Sequence, residues 1–312
     1  MPAQLTLGTG LLSGRTSPTR ARRVVAAALD VGITRFDTAR AYGDGETEHL
    51  LGAALRRRPD VEVVTKAGLG PLTRRAASAV RWHAVSPLLG LLPAGATGRA
   101  SPGDEEADHD DGARFDEAAV RASIDASRRA LRRERLDLVL LHEFDRGRDA
   151  PATADLMEGL VAEGVISSWG VGTRRAALRR LLEDRVPLGG LVQTTGGPLL
   201  PDAPVPDGSS LSVHSVLGPG GSLLNAFLAW LAESPHRTVW EAAVGPIAAR
   251  RTAGAELLRI AVSDPRTSSV LVSSRDAVAL ERTVVAARDG ADADRISLLA
   301  PLLAAFRERD AR

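Results

Sequence analysis

Several residue types are scarce or missing in this chain, and each absence excludes a kind of chemistry. There is no cysteine among the 312 residues, which excludes disulfides, thiolate zinc sites and cysteine nucleophiles. Aromatic residues make up only 3%, so the core must be built mainly from Leu, Val, Ile and Ala. The net charge of +1 gives no strong field for nucleic acid or for an anionic membrane surface.

Long apolar runs and a secretory leader are also missing from the sequence. The N-terminal residues do not show a basic segment followed by an apolar core, so no signal peptide is predicted. The nearest candidate for a membrane span, 85–96, is short and contains Pro87, Gly90 and Pro93. We therefore expect a cytoplasmic protein that binds neither membrane nor nucleic acid, with its oligomeric state left open.

Lysine and tyrosine each occur once. Of the 40 lysine and arginine residues only Lys66 is a lysine, and the single tyrosine is Tyr42. A lysine kept against such a bias is expected where arginine would fail, because only lysine changes its pKa readily on burial. A nearby ammonium lowers the pKa of a tyrosine. The two residues together are suited to proton-transfer catalysis.

Short apolar runs alternate with helical patterns along the chain. The strand candidates begin at residues 5, 33, 61, 136, 169, 191, 211 and 270. The helical patterns cover 19–31, 47–58, 115–133, 155–163, 174–183, 223–233, 254–262, 277–288 and 294–309. This alternation is typical of βαβ units with a parallel sheet. Eight units predict a single α/β domain over residues 1–312, a closed (β/α)8 TIM barrel, with an open flavodoxin-like sheet as the alternative.

Two stretches interrupt this alternation. Residues 67–114 combine Pro, Gly, arginines and the acidic run 104–111, which predicts an inserted loop after the third strand. The loop is either simply solvated or a mobile lid, because it leaves the carboxyl end of that strand. Residues 196–210 hold four prolines, so the helix between the sixth and seventh strands is expected to be reduced or missing.

Ionisable residues lie at or just past the ends of three consecutive predicted strands. Asp37 ends the second strand and Tyr42 follows in its loop, whereas Lys66 ends the third strand. His142 ends the fourth. Each alone has an ordinary explanation, such as a turn cap or a core histidine. Because these strand ends converge on one rim of a barrel, the four together predict an active site.

The chain resembles the aldo/keto reductase superfamily in five segments and in their order. The Asp-x4-Tyr spacing, the lysine that ends a strand and the Leu-Leu-His sequence are the specific features. The segments are 36–46, 51–55, 64–66, 136–142 and 169–172. The resemblance implies the same barrel and a family tetrad at the rim just described.

In the tetrad implied by the resemblance, each residue has a role that its chemistry fits. Tyr42 is the general acid or base, and Lys66 lowers its pKa. Asp37 pairs with Lys66 and fixes it. His142 binds the substrate oxygen and either orients the carbonyl or relays the proton.

A nicotinamide cofactor is also implied, because no side chain supplies hydride. A Rossmann fingerprint at 8–14 is disfavoured, since its last gap is one residue too long. The cofactor-binding residues implied by the resemblance are Thr9, Gly10, Thr173, Gln193, His214, Ser215, Leu217, Gly218, Ser273, Ser274, Arg275 and Thr283. The remaining histidines lack paired spacing, so no metal is predicted.

These cofactor residues fall into groups with separate tasks. The glycine-rich loop 217–222 precedes a helix, whose free N–H groups favour the pyrophosphate, although an ordinary turn is the alternative. Arg275 offers a forked donor for a 2′-phosphate, which favours NADPH over NADH, unless it is a solvated surface charge. By the same resemblance, His214 stands where the family commonly has an aromatic residue that stacks on nicotinamide, and Thr283 stands where the family commonly has an asparagine near adenine.

The resulting expectation is an NADPH-dependent oxidoreductase that interconverts an aldehyde or ketone and its alcohol. Its partner is a small carbonyl or sugar-like substrate, and NADH stays open as cofactor. Two alternatives remain at this point. One is the dehydrogenase direction on an aldose, and the other is a cofactor-binding sensor or accessory subunit with little turnover.

Overall fold

Eight parallel strands form a closed barrel in the computed structural model, which describes residues 2–13, 16–69, 114–145, 150–205 and 207–309. Each strand pairs with its neighbours in chain order, and β8 closes the sheet on β1. The strands are β1 (Gln4–Gly8), β2 (Arg35–Asp37), β3 (Glu62–Ala67), β4 (Leu136–His142), β5 (Ile166–Gly172), β6 (Leu191–Thr195), β7 (Ser210–His214) and β8 (Thr267–Val272). The predicted (β/α)8 barrel is confirmed, and the open sheet is excluded.

Helices surround the barrel on the outside. In the described ranges they are α1 (Pro18–Asp30), α2 (Glu46–Ala54), α3 (Glu117–Leu131), α4 (Ala150–Ala162), α5 (Arg175–Glu183), α6 (Ser222–Ala232), α7 (Arg237–Ala243), α8 (Arg250–Ser263), α9 (Ala277–Ala287) and α10 (Ala293–Glu308). Side chains of Ser17, Asp116, Asp276 and Asp292 cap four of their N-termini. None of the helices described here is long and apolar enough to cross a membrane.

The wall between β6 and β7 has no helix in residues 196–205 and 207–209, as the prolines predict. Residues from later in the chain pack there instead. Leu199 joins a buried cluster with Phe227 of α6, Trp240 of α7 and Phe306 of α10. The helix α10 contacts this segment directly as well, because Arg307 donates a hydrogen bond to the carbonyl of Pro198 at 3.3 Å.

The prediction of an inserted loop over 67–114 falls mostly outside the described residues, since positions 70–113 are not among them. The single domain over residues 1–312 stays a prediction. The sequence analysis did not predict α7. This helix has seven residues and buries only Trp240, so it carries no repeated apolar spacing to recognise.

Alternation along the strands positions the rim of the barrel. Val64, Leu138, Leu140 and Leu191 form an apolar cluster of their own. Lys66 lies two residues after Val64 and therefore points to the same face of β3 as Val64. In the same way, His142 points to the same face of β4 as Leu140. The polar side chains therefore stand on an apolar floor at the carboxyl ends of the strands.

Candidate active site

The carboxyl ends of β2, β3 and β4 bring the four predicted tetrad residues together. The ammonium Nζ of Lys66 lies 2.5 Å from Asp37 Oδ1 and 3.5 Å from Tyr42 Oη. The rings of Tyr42 and His142 meet edge to face, with 6.0 Å between their centroids. All four side chains line one cavity.

Asp37 and Lys66 form an ion pair that is held from several sides. Their side chains are only 2% and 3% exposed. Lys66 Nζ also donates to the carbonyl of Thr38 at 3.1 Å, and Gln193 Nε2 donates to Asp37 Oδ2 at 2.8 Å. A buried pair is tolerated only when such extra hydrogen bonds satisfy it, so the position of the ammonium is fixed.

Lys66 and Tyr42 act on each other through charge. Burial lowers the pKa of Lys66, but Asp37 and Tyr42 outweigh it and raise that pKa above its ordinary value, so the ammonium is charged. Burial raises the pKa of Tyr42, the Lys66 ammonium opposes this effect, and Asp37 adds to it. Lys66 thus acts in the predicted direction, although the net pKa of Tyr42 lies above its ordinary value because burial is larger.

The two histidines at the cavity are neutral near physiological pH. Burial, helped by Lys66 and His214, lowers the pKa of His142 to about 3. Burial and Lys66 lower the pKa of His214 to about 4. His142 Nδ1 is buried and has no hydrogen-bond partner among the described residues. A neutral imidazole has one donor and one acceptor nitrogen, so His142 is able to bind a substrate oxygen.

The cavity extends from the tetrad along the carboxyl ends of β5 to β8, with a volume of about 1160 Å³. It contains most of the predicted cofactor-binding residues. Those that line it are Gly10, Thr173, Gln193, His214, Ser215, Leu217, Gly218, Ser273, Ser274 and Thr283. Thr9 and Arg275 are not among the lining residues. Thr9 Oγ1 donates to the carbonyl of Asp37 at 2.8 Å, and Arg275 is exposed.

A glycine-rich turn leads from β7 into α6 at the edge of the cavity. Gly218, Gly220 and Gly221 all have positive φ, at 76°, 61° and 81°. A Cβ atom on Gly218 would lie 2.5 Å from the backbone nitrogen of Leu223, so a side chain does not fit there. The turn therefore lines the cavity with backbone just before a helix N-terminus, which suits a phosphate.

Three arginines that the sequence analysis did not predict also line the cavity: Arg250, Arg251 and Arg282. Arg282 precedes Thr283 on α9 and follows Val278 by four residues, so helical spacing could have indicated it. Arg250 begins α8 and donates to Asn225 Oδ1 of α6 at 2.9 Å. No sequence signal connects Arg250 or Arg251 with the glycine-rich turn, because they lie far from it along the chain.

Comparison with known proteins agrees with this geometry. The sequence model of the Aldo/keto reductase family matches residues 4–186, and the chain belongs to that family. Among curated proteins it is 28% identical over 165 residues to 6-dehydroglucose reductase of Agrobacterium fabrum. It is 33% identical over 170 residues to D-threo-aldose 1-dehydrogenase of a Pseudomonas species. These alignments cover 51% and 53% of this chain but only 46% and 47% of the relatives.

Solved structures share the fold at low sequence identity. The holo form of an aldo-keto reductase from Bacillus halodurans has a TM-score of 0.65 at 20% identity, over 98% of this chain and 92% of that one. An aldo/keto reductase from Klebsiella pneumoniae, in complex with NADP and acetate, has a TM-score of 0.62 at 23% identity. That likeness covers 96% of this chain and 90% of the other. At sequence identities this low, the structural similarity shows only that these proteins share the barrel fold.

Proposed function

We propose that this chain is an NADPH-dependent oxidoreductase that interconverts an aldehyde or ketone and the corresponding alcohol. The observation that carries the proposal is the contact of Lys66 Nζ with both Asp37 Oδ1, at 2.5 Å, and Tyr42 Oη, at 3.5 Å, at the wall of a large cavity. This arrangement gives a phenol with a charged neighbour, which is what a proton donor in carbonyl chemistry requires.

NADPH is the proposed cofactor because the residues of the cavity fit its parts. The turn at Gly218 and the start of α6 suit the pyrophosphate. Arg250, Arg251 and Arg282 supply positive charge for a further phosphate, which favours NADPH over NADH. The Klebsiella pneumoniae relatives crystallised with NADPH and with NADP support this choice. The bound cofactor supplies the hydride in reduction and accepts it in oxidation.

Tyr42 carries the proton in the proposed mechanism. In reduction its Oη–H donates to the carbonyl oxygen, and the proton moves to that oxygen as the alcohol forms. The neutral His142 donates a second hydrogen bond that orients the oxygen. Lys66 stabilises the phenolate that remains, and Asp37 holds Lys66 in place. In oxidation Tyr42 accepts the proton. A positioned acid of this kind contributes about 10²–10⁴-fold in rate.

The proposed substrate is a small sugar-like carbonyl compound or alcohol. Two relatives that match about half of this chain act on sugars by name, one as a reductase and one as an aldose dehydrogenase. The aldose dehydrogenase direction is kept as the second candidate, because its relative has the higher identity of the two, at 33%. A cytoplasmic location belongs to the same proposal, consistent with a small-molecule reaction.

The test combines cofactor binding with turnover. We expect NADPH fluorescence to change on titration with the protein, and the nicotinamide absorbance to fall when aldehydes or dehydro-sugars are added. Tyr42→Phe should keep the NADPH Kd and lower kcat by about 10²-fold or more. Normal turnover in this variant would remove Tyr42 from the mechanism. NADPH binding without consumption across aldehydes, and without NADP⁺ reduction by aldoses, would favour the sensor alternative.

A further inference from the structure

A buried ion pair lies directly behind the active site, between the segment that follows β2 and the first turn of α2. Arg40 Nη1 donates to Glu48 Oε2 at 2.6 Å, and the two side chains are 7% and 0% exposed. Desolvation makes such a pair a weak source of stability, and apolar residues of similar volume often stabilise a fold as well or better. Its presence between Asp37 and α2 therefore calls for another explanation.

The same carboxylate reaches the strand that carries Lys66. Glu48 Oε1 accepts a hydrogen bond from Thr65 Oγ1 at 2.7 Å. Thr65 is buried and precedes Lys66 on β3, and successive side chains of a strand point to opposite faces. Thr65 thus faces α2, while Lys66 faces the cavity. One carboxylate connects Arg40, α2 and β3.

Arg40 also supports the turn that holds Tyr42. Gly45 has a φ of 91°, and a Cβ atom built on it would lie 2.5 Å from Arg40 Nη1 and 2.9 Å from Cζ. The guanidinium therefore packs against the backbone at the end of the turn Tyr42–Gly45. Arg40 precedes Tyr42 by two residues and contacts the turn three residues after it, so it closes the segment into a loop.

We propose that Arg40, Glu48 and Thr65 form a positioning network that holds Tyr42 within reach of Lys66. The proposal rests on the role proposed above for Tyr42. The distance of 3.5 Å between Lys66 Nζ and Tyr42 Oη is already at the outer limit of a hydrogen bond. A shift of about 1 Å breaks this contact, and a misplacement of that size costs about 10²-fold in rate.

The test replaces the ion pair by apolar residues, so that no charge is left buried alone. The network variant is Arg40→Met with Glu48→Met. The control is Arg35→Met with Glu62→Met, because Arg35 and Glu62 form an ion pair at 2.7 Å that joins β2 to β3 at their amino ends, away from the cavity. We expect the network variant to lower kcat by about 10²-fold with little change in the NADPH Kd. The control should keep wild-type kcat.

A second readout needs neither substrate nor cofactor. Tyr42 is the only tyrosine, so the ultraviolet absorbance of tyrosinate reports its ionisation alone. Lys66, Asp37 and Glu143 are the charged groups that act on it, with His142 at its ring, and both double variants retain them all. Lys66→Met should raise the pKa of Tyr42 in the wild-type background, because the ammonium lowers it. The rise should shrink in the network background and persist in the control.

The outcomes separate this proposal from the function itself. An undiminished rise in the network background, or an equal loss in the control background, would overturn the positioning role. If the network variant does not fold, the variant Thr65→Val provides the test instead. It removes one hydrogen bond of the network and should diminish the rise in the Tyr42 pKa that Lys66→Met causes. An unchanged rise in the Thr65→Val background would also overturn the proposal. A wild-type protein without turnover would refute the proposed function and leave the tyrosinate titration interpretable.

Discussion

Three acceptors surround the ammonium of Lys66, which explains why a lysine stands here in a chain so poor in lysine. The acceptors are Asp37 Oδ1, the carbonyl of Thr38 and Tyr42 Oη. An ammonium has three donors on one compact nitrogen, whereas a guanidinium spreads five donors over a planar fork. In a side chain that is only 3% exposed, that difference in shape decides which cation fits.

The first residue-scale prediction follows from this fit. Lys66→Arg keeps the positive charge but places a larger group in a closed space. We expect kcat to fall by at least about tenfold, because a displaced cation stabilises the phenolate of Tyr42 less well than Lys66 does. The NADPH Kd, measured by fluorescence, should change little. Full turnover in this variant would contradict the assignment of Lys66.

The second residue-scale prediction concerns His142 and acid. Burial lowers the pKa of His142 to about 3, whereas an unfolded histidine titrates near 6.5. Below pH 6.5 the unfolded chain takes up a proton that the folded chain refuses. His142 therefore lowers the free energy of unfolding by about 1.4 kcal/mol for each unit by which the pH drops from 6.5 towards 3.

His142→Gln has no titrating group at this position, so its loss of stability in acid should be shallower than that of the wild type. Urea denaturation of both proteins at neutral and at mildly acidic pH measures the difference. Equal slopes would mean that His142 is not held neutral by the fold.

The residues of the site differ in how far the sequence could predict them. Asp37, Lys66 and His142 stand at strand ends, Tyr42 follows the end of β2, and parallel strands fix where those ends meet. Arg40 and Glu48 gave no such signal, because their pairing depends on how the turn Tyr42–Gly45 folds α2 back against the segment after β2. Arg250 and Arg251 depend likewise on the packing of α8. Patterns in short stretches of sequence indicate where strands end, but they do not indicate which helices and strands contact each other.

Among the elements, the turn between β7 and α6 depends on glycine at one position for a steric reason. Gly218 and Gly220 both have positive φ, but only Gly218 has backbone close to the position of a Cβ atom, at 2.5 Å. A Cβ atom on Gly220 meets nothing within 4 Å. A side chain would be strained by the left-handed backbone at either position, but only at Gly218 would it also lack space.

Gly218→Ala should displace the start of α6 and weaken NADPH binding by more than about tenfold, because the turn suits the pyrophosphate. Gly220→Ala is the matched control and should lose much less affinity. Fluorescence titration of both variants gives the ratio. Equal effects would show that left-handed backbone alone, and not the close contact with Leu223, limits the turn.

Two features of the helical layer differ in how well the sequence predicts them. The absence of a helix in the described residues between β6 and β7 was predictable, because proline removes a backbone donor and its ring clashes within a helix. The short helix α7 was not, because its single buried residue, Trp240, makes a tertiary contact with Phe227 and leaves no periodic pattern.

At the scale of the whole molecule, the barrel was predictable because eight strand-and-helix units in order close only in a few ways. The register was not, since it depends on which side chains pack inside. The whole-molecule prediction is that NADPH stabilises the folded chain by about 2.7 kcal/mol at a concentration of 100 Kd.

Thermal denaturation with each cofactor measures this stabilisation. At equal concentrations NADH should raise the Tm less than NADPH, because Arg250, Arg251 and Arg282 favour the extra phosphate. An equal or larger rise with NADH would reverse the cofactor preference proposed here.

The packing of α10 over the helix-free wall has a consequence for synthesis. Leu199, Phe227 and Trp240 leave the ribosome well before Leu302 and Phe306, the side chains that cover them. During translation this half of the nascent chain therefore exposes a large apolar surface until α10 emerges. Premature termination before α10 would leave this apolar surface exposed on the outside of a closed barrel.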